Sequence, residues 1–325
     1  MKYDESQAGG ASTCCRRSFL KGTIGCGAYV AWALSGMPRG IRKAFAEESA
    51  GEPIVKEAFA RVEPVAENAW AVISTPDGGF DTVSNGGIIA GDDAVLAIEG
   101  YMTPKGGEWL RGVAQELTGR APTHLALTHF HSDHIAGAQG VLGSDGRGTV
   151  AVTTLVRDAL PDVLKAEGGA TEFLMLDPSK PTELDLGGRI VRFTPRQGHT
   201  PSDVVVELVD PKVVWCGDLL WNGMFPNYMD AIPSMLSDQC RKLLSDNGGT
   251  YVPGHGSIGD KQSNQRYLEM LDFVGDAARM AHEKGTPSAD ATKDFAIPAS
   301  LGEWKLFQPK FFEVAFEAWS RELSA

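Results

Sequence analysis

The sequence predicts an α/β protein of two similar halves, packed sheet to sheet with helices outside. Three observations carry this. Short apolar runs alternate with turn residues. The order of elements, strands then helices, runs through the chain twice. The composition, 42% apolar and 22% charged over 325 residues, is that of a globular chain able to build a sizeable core.

Residues 1–46 stand outside that pattern. "CCRRSFLKG" puts Arg16 and Arg17 directly before Ser18, Phe19, Leu20 and Lys21, and a glycine-rich apolar stretch runs from Gly22 to Met37. "AFAEE" then offers Ala44 and Ala46 to a small-residue cleavage rule. The segment resembles a twin-arginine export signal, with cleavage expected after Ala46 and a periplasmic destination. Arg39, Arg42 and Lys43, between apolar stretch and cut, are typical of that route. The apolar stretch is diluted by glycine and short of the about 20 residues a membrane span needs, so no stable membrane anchor is expected. The segment holds seven Lys/Arg and two Asp/Glu, so its loss takes the net charge from −12 to −17. So acidic a chain does not suit the phosphate backbone of nucleic acid. Of five cysteines only Cys216 and Cys240 remain, too few for a disulfide framework, and both are read as free.

The mature chain, expected as one domain over 47–285 and a helical extension over 286–325, reads in order as follows. "AWAVIS" (69–74), "GGIIAG" (86–91) and "AVLAIEG" (94–100) are strands, with "DGG" (77–79) and "NGG" (85–87) as turns. Residues 103–119 form the first helix, Pro104 near its start and Gly119 after its end. "HLALTH" (124–129) is a buried strand, and 153–169 is helical but interrupted by Pro161. "TELDL", "RIVRFTP", "DVVVELVD" and "KVVWCGDLL" return to strands, followed by a helix over 234–249 and a strand and turn in "TYVPGHG". Asp260 caps a long helix to about Lys284, with Tyr267, Met270, Leu271, Val274, Ala278 and Ala281 on one face. A last helix starts near Pro309, with Phe312, Ala315, Phe316, Trp319 and Leu323 at helical spacing.

The chemistry concentrates in "THFHSDH" (128–134). With seven histidines in the whole chain, three at fixed places in so short a stretch is a chance event of order one in 10⁵ per window. Residues two apart on an extended strand end point to one side, so His129 and His131 can grip one ion. Asp133 and His134, where the chain turns, can face a second. Imidazole and carboxylate suit zinc, and also iron and manganese. Three more fragments each place a ligand type after a glycine at a strand-to-loop switch: His199 in "QGHTPSD", Asp218 in "WCGDLL" and His255 in "PGHGS". His124, in a strand, and His282, on a helix, are read as structural.

Taken together, HxHxDH, GHT, GD and GH in this order resemble the metallo-β-lactamase fold superfamily over roughly residues 55–285. The resemblance implies a four-layer αβ/βα sandwich with the site at one edge of the two sheets. It implies a first metal held by His129, His131 and His199, a second held by Asp133, His134 and His255, and Asp218 bridging them. An anionic bridge offsets the repulsion of two cations about 3.5–4 Å apart, and a bridging hydroxide would be the nucleophile. Asp133 would orient that hydroxide or take its proton. Thr128, Thr200 and Glu99 are candidates to fix the imidazoles. Family members usually have aspartate at the Glu99 position, and a solvated strand end is the alternative reading there.

Within the superfamily, class B lactamases generally lack the bridging aspartate, so Asp218 argues against a dedicated β-lactamase. The ligand set resembles glyoxalase II-like thioesterases and lactonases, but no glutathione-binding pattern follows residue 260. The expectation is a periplasmic hydrolase with two Zn2+ ions acting on a small-molecule ester, thioester, lactone or amide. An iron-containing redox or sulfur-handling protein and a non-catalytic accessory protein are the alternatives. Trp221, Met224, Phe225 and Tyr228 are candidates to line an apolar pocket, and 74–82 to form a flap with Phe80 at its tip. The aromatic tail (Trp304, Phe307, Phe311, Phe312, Phe316, Trp319) is expected to pack on the core or on a sister subunit, with capping of the site as the alternative.

Overall fold

The computed structural model describes residues 53–325 apart from 76–77, 167 and 246–247. The export signal expected at 1–46 lies outside the described residues. Among these, no helix is long and apolar enough to cross a membrane.

The first half is an eight-stranded sheet in sequential order: β1 (Val55–Lys56), β2 (Ala60–Ala66), β3 (Ala69–Ser74), β4 (Gly86–Ala90), β5 (Val95–Ile98), β6 (His124–Ala126), β7 (Gly148–Val152) and β8 (Thr171–Met175). It is antiparallel up to β5 and parallel from there on. The switch follows from the connections, because parallel neighbours need a crossover. Helix α1 (Pro104–Thr118) supplies the first. Thr103 caps it by accepting from Gly106 N, and Gly119 ends it in the left-handed region at φ 76°. Short helices α2 (Ser132–Ile135) and α3 (Ala138–Leu142) supply the second, and α4 (Thr154–Ala159) and α5 (Asp162–Lys165), split at Pro161, the third.

The second half is a five-stranded sheet, ordered β14 (Thr250–Val252), β12 (Val213–Trp215), β11 (Asp203–Leu208), β10 (Ile190–Arg196), β9 (Thr182–Asp185). β13 (Trp221–Asn222) and β15 (His255–Gly256) form a separate parallel pair. Helices α6 (Pro233–Ser245), α7 (Lys261–Glu283), α8 (Ser288–Ala291) and α9 (Phe311–Leu323) complete the described chain. Pro195 lies inside β10, but β9 pairs only as far as Phe193, so its missing N–H breaks no ladder bond to β9.

Alternation along the strands makes the four layers. Leu96 and Ile98 of β5, with Ile73 and Ile89, face Phe193, Val204, Val206, Leu208 and Trp215 of the other sheet. Val95 and Ala97, one residue out of step, turn to the opposite face against Leu110, Val113 and Val141. On the far side, Val205 and Val214 meet Leu236, Tyr267, Met270, Leu271 and Val274 of α6 and α7. Each such side chain, fully buried, contributes about 1.5–3 kcal/mol of hydrophobic free energy. The architecture is the expected αβ/βα sandwich, with the halves unequal.

Two sequence expectations need correction. Of the two overlapping readings of Gly86 and Gly87, the strand holds and the turn does not: they open β4. Trp215 crosses between the sheets to donate from Nε1 to Gly86 O at 2.9 Å. A Cβ on Gly87 would stand 2.3 Å from that nitrogen, so glycine here makes room for the indole. On α9, Ala315, Phe316 and Trp319 are buried and Phe312 is partly covered, as the spacing predicts, but Leu323 in the last turn is exposed. β2 (ARVEPVA), β7 (GTVAV) and β8 (TEFLM), absent from the sequence reading, are short runs in which apolar residues mix with polar, glycine or proline residues, and β8 is partly exposed throughout.

Candidate metal centre

The ligand candidates follow the C-terminal ends of β6, β10, β12 and β14, where backbone leaves the sheets and side chains can converge. β6 ends at Ala126, so His129 and His131 stand on an extended loop rather than in the strand. His131 is the N-cap residue of α2, Asp133 lies in its first turn and His134 in its last. His199 sits in the β10–β11 connection. Asp218 lies on a 3-10 turn whose Gly217 has φ 52°, and His255 opens β15.

These seven side chains come together in two adjoining groups, within each of which the ligand atoms lie within 4.8 Å of one another: His129, His131, His199 and Asp218, then Asp133, His134 and His255. His131 Nδ1 and His199 Nε2 face each other at 3.0 Å. Asp218 stands between the groups. Its Oδ2 is 3.2 Å from His199 Nε2, 3.8 Å from His129 Nε2 and 3.4 Å from His255 Nε2, and its Oδ1 is 3.2 Å from His134 Nε2. Asp133 Oδ2 is 3.3 Å from His255 Nε2 and 3.5 Å from His134 Nε2. All but His131 and Asp133 are buried.

A wider ring of groups orients these imidazoles. Thr128 donates from Oγ1 to Glu99 Oε1 at 2.6 Å and lies 3.0 Å from His129 Nδ1. The same Glu99 oxygen is 3.0 Å from His134 Nδ1. Glu99 is therefore no solvated strand end: it is 1% exposed, at φ 72°. Val83 (φ 69°) and Tyr101 (φ 64°) share that left-handed region, costly for a β-branched or bulky residue, so strain gathers beside the second group. Trp221 stacks on His255, ring centroids 4.0 Å apart, and donates from Nε1 to Asp218 O at 3.1 Å.

Sequence reasoning passed over two carboxylates here. Asp203, the last residue of "QGHTPSD", accepts from His199 N at 3.0 Å and from Thr200 Oγ1 at 2.6 Å, tying the His199 turn to β11. Its place in the quoted fragment was the available signal. Asp230 Oδ2 accepts from His131 Nε2 at 3.0 Å. Nothing local marks Asp230; its loop is fixed from α9, where Arg321 donates to the carbonyls of Met229 and Ala231 at 3.3 Å each. Thr200 acts through Asp203 rather than on an imidazole. His124 and His282 lie elsewhere, near Thr123 Oγ1 and Ser320 Oγ respectively.

The electrostatics are those of a cation site. Burial holds His199 down to about 3, and burial with the His134 charge holds His129 well below its ordinary value. For His255 burial acts in the same sense, but the Asp218 and Asp133 carboxylates outweigh it and raise the group to about 9. His134 is raised likewise, against burial, by Asp218, Glu99 and Asp133. Burial opposes ionisation of Asp218, yet the surrounding imidazoles hold its carboxyl well below the usual range. Burial, helped by the Asp218 charge, pushes Asp203 up to about 7, against its bonds from Thr200 and His199. Nε2 of His129, Nε2 of His134 and Oδ1 of Asp218 are buried and make no directed hydrogen bond among the described residues, though the last two lie so close. Buried polar atoms left in that state are costly. A divalent cation in each group would satisfy them, so the residues present fit a two-metal centre.

Over this centre opens a cavity of about 350 Å³. Asp133, Asp218, His131, His255 and Trp221 reach it, and Val83, Met102, Met229, Phe307, Phe311 and Val314 wall it. Of the expected pocket residues only Trp221 lines it; Met224, Phe225 and Tyr228 are packed in the core. Phe80 is 71% exposed and lines no wall of it. The aromatic tail divides: Phe307 and Phe311 face the cavity, Phe312 packs on Phe225, and Phe316 and Trp319 pack against α7. Cys216 and Cys240 are free and buried.

Residues 100–255 match the family described as the metallo-beta-lactamase superfamily. No curated protein matches the sequence significantly. Among solved structures, the chain is similar to the stereoselective inverting sec-alkylsulfatase Pisa1 of a Pseudomonas species, at 14% identity and TM-score 0.61 over 80% of this chain. It spans 49%, about half, of that enzyme's length. It is similar to a metallo-beta-lactamase of Pontibacter korlensis, at 20% identity and TM-score 0.53, over 66% of this chain and 99% of that one. A metallo-beta-lactamase of Erythrobacter litoralis matches at 17% identity and TM-score 0.52, over 67% of this chain and 99% of the other. At such identities the likeness establishes the fold: the chain has the metallo-β-lactamase fold.

Proposed function

We propose that this chain, a hydrolase on the metallo-β-lactamase fold, uses two divalent cations, zinc in the first instance, to cleave a small ester, thioester, lactone or amide in the periplasm. The carrying observation is the Asp218 carboxylate set between two groups of imidazoles, one oxygen 3.2 Å from His134 and the other 3.2 Å from His199. When bound, such a pair of ions supplies an acidified water and a Lewis acid for the developing charge on the substrate. Everything else is the chain's own work. Asp218 reaches both groups and would offset the repulsion of two cations held there. Glu99 and Asp230 orient His134 and His131, and Asp203 fixes the turn that presents His199. Asp133 reaches the cavity, its side chain 19% exposed, where it can accept the proton of the attacking water. The apolar walls exclude bulk water and so strengthen each electrostatic contact.

The bridging Asp218 supports an ester or thioester hydrolase over a dedicated β-lactamase. Export by the twin-arginine route, with a mature start at Glu47, rests on the N-terminal sequence alone; sequencing the N-terminus of periplasmic protein tests it. For function, purified protein is analysed for metal and then assayed on an ester, a thioester, a lactone and a β-lactam. Two zinc ions per chain are expected, with turnover of one of the first three. Asp133→Asn should lower turnover about 10²–10⁴-fold, the usual worth of a positioned base. Full metal loading with no turnover of any class overturns the reading in favour of an accessory role. Iron with redox activity favours the iron-based alternative, which the same ligand types accept.

A further inference from the structure

Part of the cavity wall comes from outside the segment that carries the family's metal motifs. Phe307, Phe311 and Val314 belong to the C-terminal stretch, whereas the family match ends at residue 255. Phe307 lies 6.2 Å, ring centroid to ring centroid, from His255, beside the metal groups. The same cavity is lined by Met229, 60% exposed, with Met102 and Val83. The polar groups among the lining residues, apart from those at the metal groups, are Asn227, Gln308 and Lys310. Lys310 lies 3.8 Å from Glu313, so its charge is partly met within the chain.

An exposed methionine and a partly buried phenylalanine that line one cavity beside reactive groups gain from a partner that covers them. Apolar surface in such a cavity is stabilised by removal from water, at about 25 cal/mol per Å². A dry apolar cavity on the order of 150 Å³ already takes a benzene ring. The 350 Å³ here therefore accommodates the reacting group over Asp133 and Asp218 and one ring or short alkyl chain beside it.

We propose that the wall formed by Phe307, Phe311 and Met229 is an acyl-binding subsite, and that the substrate is an ester or thioester whose acyl part is a short alkyl chain or a single aromatic ring. This rests on the hydrolase reading above. The metal-loaded full-length mature chain is assayed by proton release with methyl acetate, butyrate, hexanoate and phenylacetate. In parallel it is titrated calorimetrically with the four free carboxylates, which mimic the product and need no turnover.

Both kcat/KM and carboxylate affinity should rise roughly fourfold per buried methylene from acetate to hexanoate, with phenylacetate near hexanoate. Phe307→Ala and Met229→Ala should each lower the hexanoate-to-acetate ratio at least about fivefold in both measurements. Met229 is exposed, so that variant folds whatever becomes of Phe307→Ala. A flat series in the carboxylate titration, or ratios unchanged in both variants, overturns the subsite. A sloped carboxylate series without turnover of any of these esters supports the subsite and overturns the ester as substrate, whereas the hydrolase reading falls only with the full panel of substrate classes.

Discussion

Gly254 lies against the Asp218 carboxylate, and adding one methyl group there tests whether Asp218 holds two ions. A Cβ built at Gly254 stands 2.0 Å from Asp218 Oδ1, and 2.7 and 2.8 Å from the carbonyl carbon and oxygen of Gly217. Ordinary contact begins at 3.4 Å, so the carboxylate must give by 1.4 Å, the difference of the two distances, and the Gly217 carbonyl must give as well. The backbone cannot easily yield instead, because Gly254 N donates to Gly217 O and Leu220 O at 2.9 Å each. Metal–ligand distances tolerate about 0.2 Å. Disturbing only the groups around a ligand costs about 10–100-fold in affinity, so displacing the shared ligand should cost at least about 100-fold. The overpacking itself costs about 1–3 kcal/mol, which leaves the sandwich folded. Zinc affinity of Gly254→Ala is read by competition with a chromogenic chelator, and circular dichroism checks the fold. A folded Gly254→Ala that holds two ions at wild-type affinity refutes the bridging role.

Three further outcomes follow from the same geometry. Asp230→Ala removes the carboxylate on His131 Nε2 and should weaken one of the two bound ions about 10–100-fold, with the other little changed, in the same competition assay. Zinc uptake by metal-free protein should release protons at pH 7.5. His255, raised to about 9, and His134, raised likewise, bind protons there in the absence of a cation and must shed them to bind one. Affinity should accordingly rise with pH from 7 towards 9, and calorimetry in buffers of different ionisation enthalpy counts the protons. Trp319→Ala should cost about 3–5 kcal/mol in denaturant unfolding, because the indole is 4% exposed and packed against α7 at Gly275.

The cluster of seven side chains was legible in the sequence because such residue types in so short a stretch are improbable. Histidine is scarce, and His129, His131, Asp133 and His134 fall within six residues. The long helices were legible for a different reason: Thr103, Pro104, Gly119 and Asp260 are stop and start signals that act within one turn. What escaped was set by distant contacts. Asn85-Gly86-Gly87 reads as a turn, but Trp215, far along the chain, occupies the space a side chain at Gly87 would need. Asp230 carries no local mark, since its place against His131 depends on Arg321 gripping the loop from α9. Phe225 and Tyr228 look like pocket aromatics from their position after Asp218, yet the C-terminal helix covers them and sends Phe307 and Phe311 to the cavity instead. Residue types fixed the chemistry of the centre, while the shape of the space above it came from tertiary packing.

Anomalous diffraction at the zinc edge from crystals of the zinc-loaded protein bears most directly on the central claim. Two peaks are expected, one among His129, His131, His199 and Asp218, the other among Asp133, His134, His255 and the same Asp218. A single ion, or peaks away from these side chains, would contradict it.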